Sequence, residues 1–452
     1  MNKALQTHTI YLIGIGGIGM SALARYFRRQ GKEVSGYDRT RSALTAKLET
    51  EGMNVHYTDE AAFVPCDAGL VIYTPAVPAS NRQLAYCRDV DVKVYKRAEV
   101  LGMIAEGFKT LAVAGTHGKT TISSMIAHIM HSTGHPVTAF IGGIMNNYDS
   151  NLIDDEGSAY LVAEADEYDR SFLLLSPYIA VISRIAPDHL DIYGSMQHMS
   201  DSFSRFVSQL EDDGLLVAHE SVDGQIPLPG SAMLYGSGEK ASLRIKNIRV
   251  EDHHYHFGLQ TPEGTIDIGM QIPGRHNIEN AAAAAGVCLR CGLSLEEIRQ
   301  GLATFRGVKR RFEYVVKEKD IVYIDDYAHH PEEIEALLRT VKELYPGEKV
   351  TGIFQPHLYS RTRDFAEEFA RSLEALDEIL LLDIYPAREE PIEGVDAEML
   401  LNKINRPDKK LVSKEDMLEI VKKMQKGVLL TIGAGDIDLL VQPIKKILTE
   451  KA

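Results

Sequence analysis

The sequence predicts an α/β protein of three domains, and three observations carry that prediction. Glycine-rich turns join a strand pattern to a helical pattern twice, at Gly14–Gly19 and at Gly115–Thr121. Short apolar runs alternate with amphipathic stretches along most of the chain, the pattern of parallel strands linked by crossover helices. At 452 residues, 44% of them hydrophobic, the chain is long enough for two to four cores.

The first segment, up to about Phe108, opens with the strand pattern Thr9-Ile10-Tyr11-Leu12-Ile13 and the turn Gly14-Ile15-Gly16-Gly17-Ile18-Gly19, then a helical run from Met20 to Gln30. This is G-x-G-x-x-G between strand and helix, where a diphosphate rests on backbone N–H groups at a helix N-terminus. Val34–Asp38 reads as the next strand, and Asp38 stands where a ribose-binding acid belongs. The fingerprint fits a dinucleotide or a UDP-sugar equally well. A later strand, Ala68–Tyr73, ends at the turn Thr74-Pro75-Ala76, the end of a strand at which open α/β sheets bind ligands.

The second segment begins with a buried-strand pattern, Leu111–Ala114, then Gly115-Thr116-His117-Gly118-Lys119-Thr120-Thr121, then a helix from Ile122 to Met130. Such a loop closes backbone N–H groups around triphosphate oxygens; Lys119 reaches the β/γ-phosphates and Thr120 holds Mg²⁺. Val113 stands where the usual pattern has its first glycine. Strands Tyr160–Glu164 and Ile179–Ile182 follow. The first ends in Glu164-Ala165-Asp166-Glu167-Tyr168-Asp169, carboxylates that repel one another unless a cation such as magnesium is present. The second leads to Pro187-Asp188-His189-Leu190-Asp191-Ile192-Tyr193, in which His189 is suited to a divalent ion or a phosphate. A β-rich stretch spans Leu243–Ile272; its His253, His254 and His256 read as decoration of an exposed strand rather than metal ligands. Gly274-Arg275-His276-Asn277-Ile278-Glu279-Asn280 then precedes an alanine-rich helix, Ile278 to Arg290, and its polar groups suit a purine base or a helix cap.

The third segment follows Arg306-Gly307-Val308. Strands Ile321–Ile324, Val350–Phe354, Glu378–Ile384 and Val428–Ile432 alternate with helical patterns, which predicts another mostly parallel sheet. Arg310-Arg311-Phe312-Glu313 sits at the start, where a guanidinium can meet a transferring phosphoryl group. Asp325-Asp326-Tyr327-Ala328-His329-His330-Pro331 and Pro356-His357-Leu358-Tyr359-Ser360-Arg361-Thr362-Arg363-Asp364 each end a strand and open a helix, so both loops point to one cleft.

Net charge of −15 argues against a nucleic-acid surface, and no apolar run approaches a membrane span. The N-terminus lacks the layout of a signal peptide, which points to the cytoplasm. Of Cys66, Cys87, Cys288 and Cys291 only the last two form a C-x-x-C; with no second pair nearby, all four read as reduced packing thiols.

The residues as a set resemble the Mur ligases, ATP-dependent amide-forming enzymes of peptidoglycan assembly that shape and divide the cell wall. The resemblance runs from Gly14 to Asp436 through GIGGIGMSALA, AGTHGKTT, EADEYDRSF, DHLDIY, GRHNIEN, RRFE, DDYAHHP, HLYSRTRDF, EEPIEGV and GAGDID, in family order. It is closest to the members that join L-alanine to the carboxylate of UDP-N-acetylmuramate. It implies a Rossmann-like UDP-sugar domain over 1–108, a P-loop ATPase-like domain over 109–308 and a Rossmann-like amino-acid domain over 309–452. Gly14, Gly16, Gly17, Ile18, Gly19, Asp38, Thr74, Pro75 and Ala76 would hold the UDP-sugar. Gly115–Thr121 would cradle ATP, contacted also by His276, Asn277, Asn280, Arg311 and Asp326. Thr120, Glu164 and His189 would coordinate Mg²⁺, and Tyr327, His357 and Arg361 would face the amino acid. Lys119, His189, Arg311, His357 and Arg361 are the implied catalytic set. Ala328 stands where many members have Gly, Leu358 where some carry Arg, and no lysine occurs between Ser183 and Phe206 to be carbamylated.

The implied chemistry is an acyl phosphate made with ATP and then attacked by the amino group of L-alanine, with domain closure keeping water out. Three alternatives remain open on the sequence. A recycling ligase would attach a whole tripeptide to the same nucleotide. A nicotinamide dehydrogenase would use Gly14–Gly19 and Asp38 but leave the phosphate loop unexplained. A regulator would bind ATP without turning it over.

Overall fold

The computed structural model describes residues 3–90, 92–186, 193, 195–387 and 389–450. The strands form three sheets, of five, ten and six strands. The chain makes two compact units. The first comprises Met1–Ile248, Phe257–Gly269 and Asn277–Arg306; the second comprises Arg249–His256, Met270–His276 and Gly307–Ala452.

In the first unit, β1 (Thr9–Ile13), β2 (Glu33–Tyr37), β3 (Asn54–His56), β4 (Leu70–Tyr73) and β5 (Val94–Lys96) form an all-parallel sheet in the order β3-β2-β1-β4-β5. Every residue of β1 is buried, as a central parallel strand covered on both faces requires. The strand order reverses between β1 and β4. The loops after these two strands, Gly14–Gly19 and Thr74–Ala76, therefore flank the switch point of the sheet, where a cleft opens. Helix α1 (Ile18–Arg29) follows the first loop, and α2 (Ala43–Thr50) starts at a capping box made by Ser42 and Thr45. Helices α3 (Arg82–Asp89) and α4 (Arg97–Ala105) complete this layer.

The ten-stranded sheet comprises β6 (Lys109–Ala114), β7 (Val137–Met145), β8 (Ser150–Asp154), β9 (Tyr160–Glu164), β10 (Ile179–Ile182), β11 (Leu215–His219), β12 (Met233–Gly236), β13 (Leu243–Glu251), β14 (His254–Thr261) and β15 (Gly264–Met270). Its order is β15-β14-β13-β12-β11-β10-β6-β9-β7-β8. Strand β6 lies between β9 and β10 and pairs with both in parallel, so the loops leaving all three strands emerge side by side. Helix α5 (Lys119–Ser132) follows β6. Helices α6 (Met196–Val207), α7 (Arg275–Arg290) and α8 (Leu295–Thr304) come later. Helix α1 packs on β7 and β8. There the buried Arg25 donates to Glu51 at 2.8 Å and to Asn151, and Asn151 donates to the Ile18 carbonyl at 2.6 Å. One apolar core runs continuously from Ile10 and Leu12 of β1 to Ala112 and Ala114 of β6.

In the second unit, β16 (Glu313–Lys317), β17 (Ile321–Asp326), β18 (Val350–Phe354), β19 (Glu378–Leu381), β20 (Lys409–Leu411) and β21 (Gly427–Ile432) form the third sheet, ordered β16-β17-β21-β18-β19-β20. Only β16 is antiparallel. Helix α9 (Pro331–Leu344) opens with Pro at its first turn, where the missing N–H is harmless. Helices α10 (Tyr359–Asp364), α11 (Ala366–Leu373), α12 (Ala397–Lys403), α13 (Lys414–Val421) and α14 (Val441–Thr449) follow.

Two expectations are corrected in detail. Helix α7 begins at Arg275, so His276, Asn277 and Asn280 lie within its first turns rather than ahead of it; Gly274, at φ 108°, breaks the chain before it. His253 is not on a strand but in a turn at φ 60°, where its ring stacks on Tyr345 at 5.0 Å. Strands β17 and β18 are consecutive in the chain but separated in the sheet by β21. Cys291 lies just beyond α7. The four cysteines are free; burial pushes the Cys288 thiol up and the Cys291 thiol to about 12, opposite to an activated thiolate. Among the described residues no helix is long and apolar enough to cross a membrane.

Candidate active site

The phosphate loop is shaped by two glycines that no other residue could replace without strain. Gly115 has φ 120°, and a Cβ there would stand 2.2 Å from Ser183 Oγ. Gly118 has φ 82°, and a Cβ there would meet Asn280 Oδ1 at 2.5 Å. The loop is held from behind: Thr116 N donates to the Arg184 carbonyl at 2.9 Å, and Ser183 Oγ donates to the His117 carbonyl. Asn280 in turn donates to Asn277 Oδ1 at 3.1 Å, so α7 buttresses the loop. The His276 ring lies against Gly274. Gly118 caps α5 without a side-chain acceptor, and no acid occupies the first turn, which leaves a favourable end for anions.

Four side chains gather at the start of α5. Lys119 Nζ donates to the Gly115 carbonyl at 2.8 Å and to Glu167 Oε1 at 2.7 Å. The Glu167 side chain is 0% exposed and its other oxygen has no partner among the described residues. Thr120 Oγ1 donates to Glu164 Oε2 at 3.2 Å, while Gly142 N donates to Glu164 Oε1 at 2.6 Å. Burial pushes both carboxyls up, and Lys119 opposes the shift at each. The hydroxyl and the carboxylate side by side are hard oxygen donors, the set that Mg²⁺ takes. Among the described residues no group of three or more His, Cys, Asp and Glu is placed to hold a metal. His189, with Pro187, Asp188, Leu190, Asp191 and Ile192, lies outside the described residues.

At the first sheet, Gly14 has φ 86° and its N–H, with that of Ile15, donates to the Tyr37 carbonyl. The Asp38 carboxylate accepts from Gly16 N at 2.9 Å and from Thr40 N at 3.1 Å. A Cβ on Gly14 would reach the Thr74 methyl at 2.7 Å, so the two loops touch. Gly17 caps α1, again without a side-chain acceptor. Arg97 lies against Gly19, its Cδ 2.9 Å from where a Cβ would stand; the sequence offered only Lys96-Arg97 at a helix start as a signal.

In the second unit the loops after β17 and β18 do meet. Arg310 and Arg311 both place their guanidinium over the Tyr327 ring, at 5.1 and 5.3 Å. Arg310 also donates to Asp325 at 3.2 Å and to the Gly433 carbonyl, which makes it a structural pin, whereas Arg311 pairs with Glu333 at 4.0 Å and its side chain is 41% exposed. Asp326 accepts from Phe312 N and Ala328 N, both at 2.7 Å; burial pushes its carboxyl up to about 6, with Arg311 opposing. The His329 ring lies 6.2 Å from that of His357, and Arg361 Nη1 is 3.4 Å from His357 Nδ1. Tyr327, His329, His357 and Arg361 thus form one polar cluster. Glu167 and His329 are the participants that motif reading left without a role; each follows a singled-out residue by two or three positions.

Three family models cover most of the chain: Mur ligase family, catalytic domain, over residues 9–109; Mur ligase middle domain, over 113–288; and Mur ligase, glutamate ligase domain, over 310–436. A UDP-N-acetylmuramate–L-alanine ligase of Cytophaga hutchinsonii is 51% identical over 97% of this chain and 96% of its own. The chain belongs to the Mur ligase family. The enzyme of the same name from Flavobacterium psychrophilum is 50% identical over 99% of both chains. The crystal structure of the Thermotoga maritima UDP-N-acetylmuramate–alanine ligase matches 98% of this Mur ligase and 100% of that chain, with a TM-score of 0.85 and 27% identity. A murein peptide ligase from Psychrobacter arcticus shares the fold at a TM-score of 0.70 and 22% identity over 98% of each chain.

Proposed function

We infer that this Mur ligase joins L-alanine to the carboxylate of UDP-N-acetylmuramate with cleavage of ATP to ADP and phosphate. The observation that supports the reading best is the phosphate loop with Thr120 turned onto Glu164, beside a lysine already held at the loop. A dehydrogenase has no use for that arrangement. The relatives favour neither the tripeptide-attaching enzyme nor a dehydrogenase.

A carboxylate resists attack by an amine, and transfer of the γ-phosphoryl group to one of its oxygens makes an acyl phosphate. That transfer is mainly a matter of positioning and charge neutralisation. Lys119 supplies charge at the phosphates, and the open N-terminus of α5 directs N–H groups at them. Thr120 and Glu164 would hold Mg²⁺, with His189 assigned beside them by the family pattern; bound Mg²⁺ supplies neutralisation of phosphate charge. Asn277 and Asn280 support the loop on the side of the base. The Gly14–Gly19 turn, Asp38 and Thr74–Ala76 would receive the uridine diphosphate. Tyr327, His357 and Arg361 would receive L-alanine, Arg361 pairing with its carboxylate. The neutral amino nitrogen then attacks the acyl carbon, phosphate leaves, and the nitrogen loses a proton to give the amide. Residues 1–108, 109–308 and 309–452 divide these three tasks.

Phosphate release from ATP, measured with Mg²⁺ and UDP-N-acetylmuramate, tests the reading. Release that requires L-alanine, with a product heavier by one alanyl residue, is expected. Release that requires the L-Ala-γ-D-Glu-diaminopimelate tripeptide instead would move the enzyme to recycling, and release with neither would end the ligase reading.

A further inference from the structure

The loop after β19 touches the segment after β18 at two places, through Tyr385 and through Glu389. Tyr385 N donates to the Pro356 carbonyl at 2.9 Å and Leu358 N donates to the Tyr385 carbonyl at 3.0 Å, a short parallel bridge that pairs Tyr385 with His357. The Tyr385 ring stacks on the His357 imidazole, centroids 5.8 Å apart and planes 21° from parallel. Four residues on, the Glu389 carboxylate accepts from Ser360 N at 2.9 Å and from Ser360 Oγ.

These contacts fall where the backbone most needs them. Leu358 has φ 72°, a conformation that L-residues rarely adopt, and the bridge from its N–H holds it there. Helix α10 starts immediately afterwards with no cap of its own. Its side-chain cap comes instead from Glu389, across the chain, at the second residue of a helix whose third is Arg361. His357 is therefore fixed on one face by Tyr385 while Arg361 approaches its Nδ1, and the direction of Arg361 is set by a helix that Glu389 starts.

We propose that Tyr385 and Glu389 are positioning residues for L-alanine, acting through His357 and Arg361. The proposal rests on the assignment of those two residues to the amino acid. It gives a role to the first part of the EEPIEGV motif, which no step above uses. Neither side chain needs to touch substrate. Loss of the Tyr385 ring frees the imidazole to rotate, and loss of the Glu389 carboxylate frees the first turn of α10.

The test is the Michaelis constant for each of the three substrates, and kcat, in Tyr385→Leu, Tyr385→Phe, Glu389→Ala, Glu389→Gln, His357→Ala and Arg361→Ala, with melting curves for all. Tyr385→Leu and Glu389→Ala are expected to raise the KM for L-alanine by about tenfold, or about 1.4 kcal/mol, and to leave those for ATP and UDP-N-acetylmuramate within about twofold. Tyr385→Phe, which keeps the stacking face, is expected to restore the wild-type value, and Glu389→Gln, which keeps an acceptor for Ser360 N, to restore most of it. If His357→Ala and Arg361→Ala raise the alanine KM while Tyr385→Leu and Glu389→Ala do not, the positioning role is wrong and the site assignment stands. If His357→Ala and Arg361→Ala leave it unchanged, the site assignment fails and the proposal with it. Should Tyr385→Leu not fold, Glu389→Ala and Glu389→Gln decide alone, since they change only the cap on Ser360 at the start of α10.

Discussion

Replacing Lys119 with Met should destabilise the nucleotide-free protein more than a surface lysine could, and the loss should depend on pH. Glu167 is fully buried, its Oε1 lies 2.7 Å from Lys119 Nζ, and its Oε2 has no partner among the described residues. Methionine keeps the bulk of the side chain and removes the charge, leaving a buried carboxylate alone. Breaking a buried pair on one side costs about 3–5 kcal/mol, and the 17% exposure of Lys119 places the cost at about 3. At roughly 2–4 °C per kcal/mol for a large unit, the melting midpoint at pH 8 should fall by about 6 °C or more. Burial already raises the Glu167 carboxyl in the folded protein, and without Lys119 it rises further. A carboxyl raised on folding takes up a proton in the folded state first, so stability grows as pH falls through the raised value and is lost as pH climbs above it. The deficit of Lys119→Met should therefore shrink steadily as pH is lowered from 8 toward 5. Adding Glu167→Gln to Lys119→Met should restore most of the midpoint at pH 8, because the lone charge is gone. Melting curves without nucleotide for the wild type, both single variants and the double variant would measure this. Additive losses, or a deficit equal at pH 5.5 and pH 8, would refute the coupling.

Gly16→Ala puts a methyl 2.8 Å from Asp38 Oδ2 and 2.6 Å from the Thr45 methyl, so the KM for UDP-N-acetylmuramate should rise by about tenfold or more while that for ATP stays within about twofold in the same assay. Glu164→Gln should raise the Mg²⁺ concentration for half-maximal rate by at least about tenfold, read from a magnesium titration at fixed ATP; an unchanged titration would remove Glu164 from the metal site. Asp326, held up at about 6 by burial, favours the folded state as pH falls from above 6 toward 4. Asp326→Asn should abolish that part of the pH dependence of the melting midpoint of the second unit, and a variant with the wild-type slope would show that another group titrates.

Much of this fold is legible in the sequence because parallel strands buried on both faces are short apolar runs, and β1, β6, β9, β10 and β18 are such runs bounded by glycine or polar turns. The Gly14–Gly19, Gly115–Thr121, Glu164–Asp169 and Pro356–Asp364 segments are legible because each begins where one of these strands ends. Sheet order is what periodicity does not encode. Nothing in the residues around β17 and β18 announces that β21, some seventy residues beyond β18, inserts between them, and yet the two loops still converge, because both strands run parallel to β21 and end level with Ile432. The start of α7 was misjudged for a local reason: Asn277 and His276 are weak helix formers, but Asn277 and Asn280 are one turn apart and satisfy each other there. The supports of His357 and Arg361 were hidden for the same cause as the sheet order, since Tyr385 and Glu389 come from a different strand's loop.

The acidic run after β9 shows how one motif divides its work once the chain has direction. In the sequence the carboxylates are crowded and repel one another unless a cation is present. The geometry separates them. Glu164 is the last residue of β9 and turns toward Thr120; Asp166, two further on, accepts from Tyr168 N at 3.1 Å and shapes its own turn; Glu167 points back under the phosphate loop to Lys119. Part of the repulsion is therefore met by the protein's own lysine, and Glu164 is the carboxylate that lies beside Thr120. On the proposed function a cation would serve Glu164 and the phosphates rather than the whole cluster. This predicts a sharp contrast that repulsion alone does not: with no nucleotide present, Mg²⁺ should leave the melting midpoint nearly unchanged, because the buried charge of Glu167 is already balanced, whereas Mg²⁺ added with ATP should raise it. A large rise with Mg²⁺ alone would mean that the carboxylates share the ion, and that Lys119 is not what keeps Glu167 charged.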